Sequence, residues 1–147
     1  MYANLNQPSL SAENLKKAYE LRERVSEKER LRISAYYYAF VTGELEKEAQ
    51  TYQLWIQSYP QDPIPHGNLG ANFSALGQYD KSLVETQEAK RLEPNRVINY
   101  SNLGQVFLAL NRPDDAKAMF EQALAGASVS LRWRDKDFSN NHRFGRV

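Results

Sequence analysis

His66 and His142 are the only histidines in a chain of 147 residues, and no cysteine stands beside either. Disulfides, thiol catalysis and Cys-based metal sites are thereby excluded together. Neither histidine has a second ligand at metal-site spacing, and no Ser-His-Asp arrangement is suggested. The carboxylates fall mostly beside Lys and Arg, as in Glu23/Glu27 with Arg24/Lys28, the pattern of solvated helix faces. No catalytic, cofactor-binding or metal-binding residue is expected, and the chain does not read as an enzyme. The remaining chemistry is hydrogen bonding. Asn68 and Asn102 carry amides that can pair with both the N–H and the C=O of an extended backbone.

Those asparagines stand 34 residues apart, and their surroundings coincide. Asn68 to Asp80, NLGANFSALGQYD, lies over Asn102 to Asp114, NLGQVFLALNRPD. A period of this length marks a repeat architecture. Each copy splits into two amphipathic helical stretches. In the central copy these run from about His66 to Leu76 and from about Asp80 to Leu92. Gly77 ends the first, since glycine takes the left-handed conformation of a helix stop without steric cost. Asn111 takes that place one period later, Pro113 then opens a helix, and Pro94 breaks the chain between copies. The net charge of +1 gives no basic footprint for nucleic acid over the whole chain. The apolar run Ile33 to Val41 is too short to span a bilayer, and the N-terminal residues show no signal peptide. A soluble, cytoplasmic chain is expected.

The residues now resemble a known family. Leu69-Gly70, Phe73, Gly77-Gln-Tyr79, Ala89 and Pro94, then Tyr100, Leu103-Gly104, Phe107, Ala116, Phe120 and Ala123, are similar to the tetratricopeptide repeat (TPR), a helix–turn–helix unit. The resemblance implies an all-α, right-handed superhelical solenoid of antiparallel helix pairs, with about seven helices. It divides residues 1–126 into a lone helix at 11–25 capped by Ser11, a divergent repeat at 29–62, and repeats at 63–96 and 97–130, the last helical to about 126. Residues 127–147 form a basic, non-repeating tail. In the divergent repeat Tyr36 stands in the small Gly slot and Trp55 in the second Ala slot, which implies wider packing there. His66 falls in an aromatic packing slot. The stretches AYELRERVSEKERLRI and YYYAFVTGELEKEAQTYQLWIQSYPQDPIPHGNLG also resemble C-terminal TPR segments of multidomain bacterial serine/threonine kinases. No glycine-rich loop, His-Arg-Asp or Asp-Phe-Gly motif of the kinase part is present.

What the resemblance implies for function is a concave groove lined by the first helix of each pair. Leu69, Gly70, Phe73, Leu103, Gly104 and Phe107 read as core, so recognition falls to the residues that do not repeat. The groove slots hold Arg30, Ile33, Ser34, Tyr37, Phe40 and Val41, then Ile64, Gly67, Asn68, Ala71, Ser74 and Ala75, then Ile98, Ser101, Asn102, Gln105, Leu108 and Ala109. Such a surface, aromatic at one end and amide-rich beyond, suits a peptide or protein segment. Tyr37 and Phe40 could instead pack under the lone helix, and Asn68 and Asn102 could satisfy local backbone. Slots that carry Lys and Asn in a chaperone-type carboxylate clamp hold Ile33 and Tyr37, or Gly67 and Ala71, so that clamp is absent. The alternative is self-assembly, as a weak homodimer in which a second chain covers the C-terminal repeat; Leu131, Trp133 and Phe138 of the tail could instead fold back over it in cis. Nucleic acid, reached through Arg132, Arg134, Lys136, Arg143 and Arg146, is a third and disfavoured partner.

Overall fold

Asp62 stands before a helix whose first residue is Pro63, where the missing N–H costs nothing. Its carboxylate caps that helix by accepting from Ile64 N at 3.0 Å, and also accepts from Trp55 Nε1 at 3.2 Å. Lys28 Nζ completes the knot at 2.7 Å, so one side chain ties three helices together. In the computed structural model the described residues are 8–127, with side chains described from residue 11.

Seven α-helices follow one another among these residues. They are α1 (Pro8–Glu20), α2 (Glu27–Tyr37), α3 (Leu45–Ser58), α4 (Pro63–Ala75), α5 (Tyr79–Leu92), α6 (Val97–Ala109) and α7 (113–127). Each helix from α1 to α6 contacts the next in sequence as in a solenoid, and α7 packs on α6 through Ala116 and Phe120. The pairs α2/α3, α4/α5 and α6/α7 are the three copies of the repeat. Asn111 (φ 56°) and Gly77 (φ 70°) both take the left-handed conformation at the turn inside a pair, as their shared slot requires. The lone helix differs from expectation. It begins at Pro8, which leaves Ser11 inside it, and gives way at Leu21 to a 3-10 turn at Arg22–Arg24. Leu21 and Val25 are consequently exposed.

The core follows the period. Ala35, Leu69 and Leu103 occupy one slot and are all buried; Trp55, Ala89 and Ala123 occupy another. Gly70 and Gly104 let the two helices of a pair close up. A Cβ on Gly70 would lie 2.5 Å from Thr86 Oγ1, and one on Gly104 would lie 2.4 Å from Phe120 Cε1. In the first pair Tyr36 fills this slot, and its ring is only half-buried. There α2 widens into a π turn at Tyr38–Thr42, and α2 meets α3 along a shorter stretch than α4 meets α5. The Tyr36 ring instead borders the surface between α2 and α4, near Asn68. The tail from residue 128, with Leu131, Trp133, Phe138 and His142, lies outside the described residues.

Candidate functional site

Two neighbouring recesses open on the face formed by α2, α4 and α6. One, of about 170 Å³, is lined by Tyr36, Pro63, Ile64, Gly67, Asn68, Arg96, Ile98, Asn99 and Asn102. It brings Asn68 and Asn102 to a single site, one repeat apart. Asn99, between them in space, is committed to structure, since its amide donates to the carbonyls of Ala89 and Glu93. The other recess, of about 350 Å³, is lined by Tyr36, Phe40, Glu48, Tyr52, Asn68 and Ala71. Asn68 belongs to both. Phe40 stands 73% exposed at the rim, and Ile98 and Leu108 are exposed on the same series of helices. The face therefore presents apolar side chains around amides, the composition of a surface that meets another chain.

Not every residue expected in the groove comes to it. Tyr37 stacks on Tyr19 of α1, with ring centroids 3.9 Å apart, so the lone helix takes this ring up. Ser74 faces inward, its hydroxyl 2.7 Å from that of Ser82. Arg30 lies 3.5 Å from Glu23, Ile33 is half-buried, and Gln105 is exposed; none of the three lines either recess. Tyr36, Glu48, Tyr52 and Arg96 do line them and were not expected there. Glu48 had a legible signal. Its equivalents at steps of 34 are Ser82 and Ala116, so a carboxylate occupies a slot kept for small side chains.

The electrostatics concentrate at that carboxylate. Glu48 is 8% exposed and accepts from Asn72 Nδ2 at 2.9 Å. Burial pushes its pKa up, and the Asn72 hydrogen bond offsets only part of the rise. Burial likewise raises Tyr52, with the neighbouring Glu48 charge adding to it and the Asn68 amide opposing it. His66 lies away from both recesses. Its Nδ1 is 2.7 Å from the Glu85 carboxylate, which joins α4 to α5. Among the described residues no three His, Cys, Asp or Glu side chains converge as a metal ion would require.

A stack of helix pairs with a 34-residue period and Gly-Gln or Asn-Arg turns has known counterparts. Residues 99–125 match the tetratricopeptide repeat. A thermophilic TPR protein of Thermus thermophilus, TTC0263, superposes with a TM-score of 0.69 at 22% identity, covering 93% of this chain and 74% of that one. The chain has the tetratricopeptide-repeat fold. The first TPR domain of Spaghetti (RPAP3), in a complex with the HSP90 peptide SRMEEVD, superposes on 74% of this chain and 90% of its own, at 20% identity and a TM-score of 0.62. In sequence, the small glutamine-rich tetratricopeptide repeat-containing protein 2 of Mycosarcoma maydis is 25% identical over 89 residues. That match covers 56% of this chain and 25% of the relative, so the chain spans about a quarter of that protein's length. Among the described residues no helix is long and apolar enough to cross a membrane.

Proposed function

We propose that this TPR domain is a non-catalytic protein-interaction module that holds an extended peptide or protein segment on its concave face. The observation that carries the reading is the recess shared by Asn68 and Asn102. Two amides one repeat apart on one face can each pair with a peptide unit, and backbone pairing tolerates many sequences. The RPAP3 domain, a fold neighbour with a peptide bound, supports peptide binding as a use of this fold. A cytoplasmic regulatory or scaffolding role in a bacterial signalling protein, as the likeness to kinase TPR segments suggests, belongs to the same proposal. Ile33, Tyr37, Gly67 and Ala71 supply no carboxylate clamp, so chaperone C-termini are not the intended ligands.

The test is the double variant Asn68→Ala/Asn102→Ala. Partner binding should fall at least tenfold, about 1.4 kcal/mol, while the unfolding temperature hardly moves. A collapse of the unfolding temperature would make the asparagines structural.

A second reading is self-assembly through the C-terminal repeat. It is favoured by an apolar recess of about 480 Å³, in which Leu103, Phe107 and Met119 lie beside Lys90 and Pro94. Sedimentation of the full chain over a range of concentrations separates the two readings, since a concentration-independent monomer excludes this one.

A further inference from the structure

The first and second repeats differ at four slots that face one another. Where the second has Gly70, Ser74, Ser82 and Thr86, the first has Tyr36, Phe40, Glu48 and Tyr52. In the second repeat these small groups let the helix pair close, with Ser82 Oγ donating across it to the Gly70 carbonyl at 2.7 Å and Thr86 Oγ1 donating to the Ser82 carbonyl of its own helix at 2.7 Å. In the first repeat the same four slots, with Asn68 and Ala71, line the larger recess instead. Three aromatic rings thus surround a carboxylate that is almost wholly withdrawn from solvent.

Among the described residues that carboxylate has no cation. Lys47, its neighbour in sequence, turns to Glu44 at 2.6 Å, and no Lys, Arg or His of the described residues forms an ion pair with Glu48. Asp62 makes the contrast. It is equally shielded, yet Lys28 stands 2.7 Å from it. A shielded charge without a partner is unfavourable, and one amide hydrogen bond from Asn72 compensates only partly. A cation arriving from outside would supply what the described residues omit. Aromatic faces around the opening add to this, since they attract Lys and Arg heads and accept their aliphatic stems.

We propose that this recess receives a lysine or arginine side chain of the bound segment, with its cationic head on Glu48 and its stem between Tyr36 and Phe40. The inference rests on the groove reading above and names its specificity. Asn68 lines both recesses, so the side chain that enters here belongs to the backbone that Asn68 holds. An acidic side chain at the same point would meet like charge.

Selection from a displayed library of random octapeptides, against the full chain, tests this and needs no identified partner. The wild type should enrich peptides with Lys or Arg at one fixed position, and Glu48→Gln should lose that preference while keeping its fold. Acetylating the selected lysine should weaken wild-type binding about tenfold and change binding to Glu48→Gln little. Glu48→Ser, which installs the second repeat's residue, serves if the glutamine variant folds poorly. Enriched peptides without a basic preference, or the same preference in both variants, would overturn the proposal. Selection of nothing, or of peptides that bind Asn68→Ala/Asn102→Ala equally well, would instead remove the groove reading, and this inference with it.

Discussion

Asn72 Nδ2 donates at once to the Glu48 carboxylate and to the Leu45 carbonyl, each at 2.9 Å, and so fastens α4 to the start of α3. The contact joins the second repeat to the first through a charge that the fold shields without neutralising. Burial raises the Glu48 pKa, so the folded chain holds that proton more tightly than the unfolded chain. Stability from this group is therefore present below the ordinary carboxylate pKa of 4.5 and is lost as pH rises through the folded value. Tyr36 and Tyr52 face the group and Asn72 bonds it, with no cation among them.

Glu48→Gln keeps an acceptor for Asn72 and removes the charge. The variant should be at least as stable as the wild type at pH 7, and its advantage should shrink at pH 4. Denaturant unfolding at the two pH values measures this. A variant less stable at pH 7 than at pH 4, relative to wild type, would mean that the carboxylate has a cation in solution.

Gly104→Ala should destabilise even though alanine favours helix, because the new Cβ would lie 2.4 Å from the Phe120 ring. The expected loss is about 1–3 kcal/mol, typical of overpacking. Adding Phe120→Leu should restore part of it. Equal losses in the single and double variants would place the strain elsewhere.

Trp55 is wholly buried, whereas Tyr36 is partly exposed over the recesses. Trp55→Ala should cost about 3–5 kcal/mol. Tyr36→Ala should cost less, about 1–2 kcal/mol, since part of the ring already meets solvent and less apolar surface is lost. Thermal unfolding of both variants checks the order, and a reversal would put the Tyr36 ring in the core.

The Tyr38 phenol is pushed up to about 12, first by its hydrogen bond with Tyr19 and then by burial and by the Tyr19 charge. Its share of the α1 contact is therefore intact below pH 10 and lost as pH climbs through 12. A spectrophotometric titration should show a late-ionising tyrosine that moves earlier in Tyr19→Phe. An unchanged curve would show that α1 does not hold Tyr38 in solution.

These predictions mark where the sequence was legible. The 34-residue period placed Gly77 and Asn111 at left-handed turns, Leu69 and Leu103 in the core, and Trp55 in a buried slot, because each copy repeats the same local problem. Tyr37 was harder, since its neighbour Tyr19 comes from a helix outside the repeat. Ser74 was lost to a hydrogen bond with Ser82 that has no counterpart in the other copies, where Phe40 and Leu108 hold its slot. The recess around Glu48 was hidden for the opposite reason. Attention to what recurs passes over a residue whose meaning is that it departs from Ser82 and Ala116.

The central claim is that one extended segment lies across Asn68 and Asn102, and the side-chain amide resonances of these two residues report it most directly. Isotope-labelled full chain titrated with a peptide from the library selection should shift both amide pairs together, with Ile98 following. The acidic peptide SRMEEVD should shift neither. Both amide pairs staying still while resonances of α5 or α7 move would contradict the account.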